Sequence, residues 1–190
     1  MLLGSIRQSK IFPIDNLKEI KPVHEYWIKR GISLETISRF KGGVVTEGKM
    51  RGRYVFPVFN SSHDIIGFTG RDIAGNSKIK WKHLGNKASW KYPLQENYKT
   101  IREINKVILV ESIGDMLALW EAGVKNSIVT FGLEISLEIL NQLLRMDVDK
   151  ITISFNNDEG NNDRGNIAAH KGRKKLLKYF DSKQVEIKLP

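Results

Sequence analysis

The chain has 190 residues, of which 41% are hydrophobic, and its formal net charge at pH 7 is +10. A chain of this length can bury a real core as one large domain or two small ones, and its composition excludes a disordered polypeptide. No apolar run approaches the roughly 20 residues of a membrane helix, and the first ten residues lack the pattern of a signal peptide. The absence of cysteine excludes disulfides, thiol nucleophiles and cysteine-ligated zinc. We therefore expect a soluble, cytoplasmic protein with no membrane partner.

The excess of positive over negative charge lies entirely in the first half of the chain. Residues 1–105 contain 19 Lys/Arg and 9 Asp/Glu, a net charge of +10 (19 − 9), whereas residues 106–190 contain 12 of each, a net charge of zero (12 − 12). A basic half beside a half that carries carboxylates suggests that the first holds a polyanion while the second places metal ions on it. A basic surface that serves only solubility is the alternative, and the size of the excess favours nucleic acid.

The first half is predicted to form helices and then antiparallel strands. Pro22 is a suitable first helical residue, Gly31 ends that helix, and Ser33 caps a second helix that runs to about Phe40. Strand patterns separated by turn residues follow at 44–46, 54–59, 65–68 and, with many lysines, 78–94. Pro57 lies inside one of these strands, which predicts a sheet edge or a bulge there.

From Lys106 onward, strands and helices alternate. The predicted strands are 107–110, 127–131, 151–155 and 185–189; the predicted helices are 115–122, one capped by Ser136, and about 164–180. This alternation indicates βαβ units and a mainly parallel sheet flanked by helices. We therefore predict an α/β fold with two domains. A small basic helix-plus-antiparallel-sheet subdomain, residues 1–105, precedes the parallel-sheet domain, residues 106–190.

Acidic and amide side chains follow two of the buried strands. Glu111 comes directly after the first strand and Asp115 four residues later, while Asn156 and Asp158 follow the third. Ligands of α/β sheets bind at the carboxyl ends of strands, and oxygen donors without a cysteine or histidine cluster indicate Mg²⁺ or Mn²⁺. Asp115 as a helix cap and 156–160 as a plain turn are the structural alternatives for single residues. The ordered set at two strand ends favours function.

The same segments resemble a known domain. ILVESIGDMLALWEAGV at 108–124 is similar to the Glu-Gly-x-x-Asp pattern, with its following helix and Ala-Gly, of the TOPRIM domain in bacterial and phage primases. VTFG at 129–132 is similar to the next strand and its glycine. ISFNND at 153–158, followed by RGNIAA at 164–169, is similar to the Asp-x-Asp stretch that leads to a glycine and a double alanine. TOPRIM domains also occur in type IA and type II topoisomerases and some nucleases.

The first half narrows the resemblance to primases. EYWIKRGISLETISRF at 25–40 is similar to the helical segment before the primase polymerase core. RGRYVFPVFN at 51–60, IIGFTGRDI at 65–73 and KWKHLG at 80–85 are similar to the motifs that follow it. Topoisomerases and the related nucleases lack this leader. Residues 22–190 therefore resemble the polymerase core of a DNA primase, most like the phage versions.

The resemblance implies an activity and a set of site residues. It implies template-directed synthesis of short RNA primers on single-stranded DNA from ribonucleoside triphosphates, with two divalent metal ions, in DNA replication. Glu111, Asp115 and Asp158 would be catalytic, and these three with Asn156 would bind metal. Glu111 would ligate the metal, directly or through water, or serve as the general base for the attacking hydroxyl. The basic positions matching those that hold the template or the triphosphate are Arg51, Arg53, Arg71, Lys80, Lys82 and Lys91. Such a protein would act in the cytoplasm of a bacterial or phage-infected cell, with a replicative helicase or a separate zinc-binding subunit as further partners.

Three departures from the family pattern leave alternatives open. Asn156 stands where the family has the first Asp of its Asp-x-Asp pair, so it brings no charge to the metal. The second acidic segment and the zinc-binding module of primases are not in this sequence. The chain is therefore interpreted as a primase core fragment, a subunit that needs a partner, or a catalytically weakened module that binds single-stranded DNA or the replisome. Beside a primase enzyme and a binding module, a TOPRIM nuclease is a third and weaker option.

Overall fold

A five-stranded antiparallel sheet is built from the first half of the chain in a computed structural model that describes residues 10–156 and 163–189. Its strands lie side by side in chain order. They are β1 (Ile20–Lys21), β2 (Gly43–Val45), β3 (Arg53–Phe59), β4 (Ile65–Asp72) and β5 (Trp81–Gly85). Successive side chains of β3 enter different apolar clusters, with Tyr54 and Phe56 on one face and Val55 on the other. Both faces of this sheet are therefore covered.

Two short helices precede most of this sheet, close to their predicted positions. Helix α1 covers Glu25–Ile28, so it begins three residues later than Pro22, and α2 covers Leu34–Arg39. The Ser33 hydroxyl accepts a hydrogen bond from the backbone N–H of Thr36 at 3.2 Å, which confirms the predicted cap of α2.

The predicted strand over 78–94 is wrong in its second part. Only Trp81–Gly85 is strand; a 3-10 turn at Lys87–Ser89 follows, and helix α3 covers Leu94–Ile104. The sequence does not indicate α3 because a polar residue occupies a buried position of that helix. Asn97 is fully buried and donates from Nδ2 to the Ser127 carbonyl oxygen at 2.8 Å. A polar side chain at this buried position, bonded to the neighbouring strand through Nδ2, interrupts the apolar period that would identify a helix.

Pro57 lies where the sequence predicts an edge or a bulge. On one side β3 pairs with β2 only from Arg53 to Val55, so Pro57 has no strand partner there. On the other side it pairs with Phe68 of β4, and the register shifts between Val58 and Phe59. The missing N–H of proline therefore interrupts no ladder hydrogen bond.

The second half forms a parallel sheet with helices, as predicted. Its strands are β6 (Lys106–Val110), β7 (Ser127–Val129), β8 (Lys150–Ser154) and β9 (Val185–Ile187), in the order β7-β6-β8-β9, and every pairing is parallel. The connecting helices are α4 (Ile113–Glu121), α5 (Leu137–Met146) and α6 (Arg164–Leu176). Val110 at the end of β6 pairs with Ser154 at the end of β8. The segments that follow these two central strands consequently leave the sheet at the same edge.

The two sheets share one apolar cluster. Trp27 and Phe56 from the first half pack in the same cluster as Ile113, Met116 and Val129 from the second. Helix α3 contacts β6 and β7, so it packs on the parallel sheet. The domain boundary between residues 105 and 106 stays a prediction. None of the helices in the described ranges is long and apolar enough to cross a membrane.

Candidate active site

The loop after β6 holds Asp115 at the beginning of α4. Ser112 is the N-cap of this helix, and its backbone N–H and its hydroxyl both donate to Oδ2 of Asp115 at 2.9 Å. Asp115 therefore takes part in a capping box, which is the structural alternative that the sequence left open. Within the described ranges, the other carboxylate oxygen of Asp115 accepts no hydrogen bond, so it is available to a ligand. Burial raises the pKa of Asp115, and the two bonds from Ser112 and the charge of Arg71 act in the opposite direction.

Two glycines let backbone approach this edge closely. A Cβ on Gly114 would lie 3.3 Å from the ring of Trp27, and Gly132, after β7, has φ +133°. The N–H of Gly132 donates to the carbonyl oxygen of Glu111 at 3.1 Å, which ties the loops after β6 and β7 together. Lys87 crosses from the first half and donates from Nζ to the Phe131 carbonyl oxygen at 2.8 Å. These contacts fix the position from which Glu111 projects.

Arg71 of β4 brings positive charge to the same place. Its Nε donates to the hydroxyl of Tyr26 at 3.2 Å, and its guanidinium carbon lies 5.7 Å from the centre of the Trp81 ring. Its charge acts on the carboxyl of Asp115 and favours the ionised form of that group. The basic half therefore contributes positive charge near an acidic residue of the second half.

A small cleft of about 100 Å³ lies between β5 and the loops after β6 and β7. Its lining residues come from both halves of the chain: Trp81, His83, Glu111, Ser112, Ile113, Phe131 and Gly132. Nδ1 of His83 is buried and accepts or donates no hydrogen bond within the described ranges. Burial, with help from the charge of Lys87, lowers the pKa of His83 to about 4. The cleft thus combines a carboxylate, a neutral imidazole and aromatic walls.

Arg53 is placed differently from the other predicted basic residues because it is buried, with 7% of its surface exposed. One guanidinium nitrogen donates to the carbonyl oxygens of Gly70 and Lys80 at 3.2 and 3.3 Å. The other donates to the Ser77 hydroxyl and the Ile79 carbonyl oxygen, both at 3.0 Å. These bonds hold the loop between β4 and β5. A nucleic-acid contact by Arg53 remains a prediction, and the geometry gives this residue a structural role.

The remaining basic positions lie on the surface of the first sheet. Arg51 and Lys80 are exposed, Lys91 is half-buried, and Lys82 donates from Nζ to the Lys49 carbonyl oxygen at 2.7 Å. Of the six basic residues singled out by sequence, only Arg71 has a described electrostatic contact with an acidic one at the strand ends. Arg53 is buried, and the other four are at least partly exposed.

Asn156 is exposed and lies two residues after the end of β8. A Cβ on Gly165 would lie 1.8 Å from the carbonyl oxygen of Asn156, so only glycine lets α6 begin against this strand end. Asp158, predicted to be catalytic, lies outside the described residues. Among the residues that the structure covers, no group of three or more acidic or histidine side chains is close enough to hold a metal ion.

Several residues of the cleft were not singled out as site residues from the sequence. Ser112 could have been found from the Ser-x-x-Asp spacing of a capping box at 112–115. His83 and Phe131 give no sequence signal, because their place depends on how the two sheets pack. Trp90 is fully buried, whereas Trp81 is only partly buried and lines the cleft.

Comparison with known proteins identifies the second half of the chain. Residues 105–188 match the Toprim domain family. The DNA primase of Borreliella burgdorferi is 29% identical over 154 residues, which are 76% of this chain and 29% of that protein. Two solved structures each superpose on 90% of this chain. One is described as the DnaG catalytic core (TM-score 0.74, 21% identity, 65% of that chain) and the other as the DnaG primase catalytic domain bound to ssDNA (TM-score 0.73, 22% identity, 64% of that chain).

Residues 105–188 thus form a Toprim domain, whose parallel sheet is preceded by a basic antiparallel one. Over 90% of the chain, the fold is that of the solved DnaG catalytic core. This confirms the family resemblance and the α/β fold; the likeness to phage versions in particular stays a prediction. The chain spans 29% of the length of the Borreliella primase that it matches.

Proposed function

We propose that the protein is the polymerase core of a DNA primase, which synthesises short RNA primers on single-stranded DNA in replication. The observation that carries this proposal is Asp115, which keeps one carboxylate oxygen without a hydrogen bond among the described residues, near the cleft lined by Glu111 at the edge where β6 ends. The charge of Arg71 acts on the same carboxyl. A phosphoryl-transfer site needs carboxylates for metal ions and a fixed cation for the triphosphate, and little else from the protein. The Toprim match and the primase relative support the same activity.

The residues at this edge fit a divalent metal ion. Asp115 keeps one carboxylate oxygen without a hydrogen bond in the described part of the chain, and Glu111 lines the adjoining cleft. With Asn156 and Asp158 they would form an all-oxygen donor set, which suits Mg²⁺ better than softer metals, with Mn²⁺ as its substitute. When bound, the metal ions neutralise the phosphates and stabilise the attacking and leaving oxygens.

The protein's own part is positioning and proton transfer. A ribose 3′-oxygen attacks the α-phosphorus of the incoming triphosphate, the bond to the bridging oxygen breaks, and pyrophosphate leaves. Glu111 takes the proton of the attacking hydroxyl or holds a metal ion beside it. The guanidinium of Arg71, fixed by Tyr26, faces the phosphates and stabilises their charge. By the family resemblance, Asp158 would supply a further carboxylate.

The template would follow the basic surface of the first sheet. Arg51, Lys80, Lys82 and Lys91 supply charge for the DNA backbone, and Trp81 beside Arg71 offers a ring on which a base can stack. The solved primase domain bound to ssDNA supports this partner. A replicative helicase and a separate zinc-binding subunit are the further partners we propose. The site of action would be the cytoplasm of a bacterial or phage-infected cell.

Primer synthesis on single-stranded DNA with labelled ribonucleotides tests the proposal. We expect product that requires Mg²⁺ or Mn²⁺ and falls at least a hundredfold in Glu111→Gln and Asp158→Ala. Glu138→Gln, at an exposed position of the first turn of α5, removes the same charge away from the edge and should change nothing. Metal-dependent product that survives in both acidic variants would refute the assigned roles.

A module that binds single-stranded DNA or the replisome without chemistry is the second candidate. Asn156 favours it, because a neutral amide at the end of β8 weakens one metal site. This candidate predicts salt-sensitive DNA binding that is reduced in Arg51→Gln and Arg71→Met and is unaffected by chelation of metal. Binding of that kind with no product at any metal concentration would select the second candidate over the first.

A further inference from the structure

A cavity of about 680 Å³ lies away from the acidic edge, between the end of α2, the end of β3 and the beginning of α3. Its lining shares no residue with the cleft that contains Glu111. The apolar part of its wall includes Phe40, Pro57, Phe59 and Tyr92. Its volume falls within the range of pockets that hold small molecules of nucleotide size.

Three basic side chains line this cavity. Arg39, Lys41 and His63 line it, and the charges of all three act on the carboxyl of Glu96 in the same wall. No ion pair joins any of them to an acidic group in the described part of the chain. Arg53 differs from these three residues, because its guanidinium donates hydrogen bonds to four acceptors. Unpaired cations around a concavity are the arrangement that binds phosphate.

A buried hydroxyl in the same wall also lacks a partner. Tyr92 is 6% exposed, and its hydroxyl oxygen is buried with no hydrogen-bond partner among the described residues. A buried hydroxyl of this kind is costly unless something bonds to it, so it points to a ligand that supplies the bond. Gln95 and Glu96, which begin α3, add polar groups beside it.

The apolar wall and the cations adjoin. Nζ of Lys41 lies 4.9 Å from the centre of the Phe59 ring, so one ligand can contact a ring and the basic group together. Inorganic phosphate would leave most of the cavity empty. A nucleoside phosphate has a flat base for the rings, polar base edges for Tyr92 and Glu96, and a phosphate for the cations.

We propose that this cavity is a second nucleotide site, which binds a nucleoside phosphate independently of the acidic edge. Arg39, Lys41 and His63 hold the phosphate. Phe59 and Tyr92 contact the base. The nucleotide is a free nucleoside triphosphate or the 5′-phosphorylated end of a nucleic acid, since both present this chemistry.

Titration calorimetry with the full chain in EDTA tests the site without metal at the acidic edge. ATP, GTP, tripolyphosphate and a 5′-phosphorylated oligodeoxynucleotide are the probes. We expect the double variant Arg39→Gln/Lys41→Gln to bind whichever nucleotide probe the parent protein binds, but at least tenfold more weakly than the parent does. Arg145→Gln/Lys178→Gln removes two exposed cations elsewhere and should bind like the parent.

The result with each probe decides a different part of the proposal. Triphosphates that bind better than the oligonucleotide identify the free nucleotide as ligand, and the reverse identifies the nucleic-acid end. Tyr92→Phe should weaken binding several-fold without lowering the melting temperature, which a purely structural hydroxyl would not do. Unchanged affinity in the Arg39/Lys41 double variant, or tripolyphosphate binding as tightly as ATP, overturns the proposal.

Discussion

Replacing Arg53 by methionine tests whether this residue is part of the fold or of the DNA surface. The guanidinium makes four hydrogen bonds, two at 3.0 Å and two at 3.2 and 3.3 Å. Bonds to a charged donor contribute roughly 1.5–3 kcal/mol each, and the two longer ones contribute less. Allowing for relaxation and for water reaching the freed carbonyls, we expect a loss of about 3–5 kcal/mol in the free energy of unfolding. For a chain of this size that lowers the melting temperature by roughly 10 °C.

Arg51→Met is the matched control, because Arg51 is two residues earlier in the chain and exposed. Thermal and urea unfolding of both variants, followed by circular dichroism, give the comparison. The control should melt within about 2 °C of the parent, since exposed substitutions usually change stability by less than 0.5 kcal/mol. Equal melting temperatures for the two variants would refute the structural role of Arg53, and DNA binding would then be its better interpretation.

Three further predictions concern steric fit, a buried hydroxyl and pH. Gly165→Ala places a Cβ 1.8 Å from a backbone oxygen and should lower the free energy of unfolding by about 2 kcal/mol or more. In Gly172→Ala, the nearest atom to the new Cβ is the end of the Ile135 side chain at 3.0 Å, so the loss measured by urea unfolding should be smaller. Tyr92→Phe removes a buried, unbonded hydroxyl and should raise the free energy of unfolding by about 1 kcal/mol in the same assay; a loss would mean that the hydroxyl is bonded in solution. The pKa of His83 is lowered from 6.5 to about 4, so the unfolded chain binds the proton first and stability should fall by about 1–2 kcal/mol between pH 6.5 and 4; urea midpoints that fall as steeply in His83→Phe would contradict this.

The parallel sheet could be predicted because its elements are defined locally. Each strand is a short apolar run, and glycine or a capping serine marks the turns, as at Gly123 and Ser136. The cap at Ser136 is present, with its hydroxyl accepting from the N–H of Ile139 at 3.2 Å. Helix α3 could not be predicted in this way, because the bond from Asn97 to Ser127 depends on a strand 30 residues away.

The acidic edge was predictable in its chemistry but not in its surroundings. Spacing brings Glu111 and Asp115 to one strand end, yet it does not indicate that Arg71 would face them, since that contact depends on two sheets sharing a core. Spacing also treats Arg53 and Arg71 alike, although one is buried among carbonyls and the other faces an acid. Only the packing of the sheets distinguishes the two arginines.

The rate of primer synthesis by Arg71→Met, at saturating DNA and nucleotide, tests most directly whether the two halves form one site. If the Arg71 guanidinium stabilises the phosphates beside Asp115, the rate should fall at least tenfold while the melting temperature stays close to that of the parent. Arg145→Met, an equal loss of charge on the exposed side of α5, should keep the parent rate. A parent-like rate for Arg71→Met would contradict a joint site. The basic sheet would then take part in DNA binding and not in the chemical step.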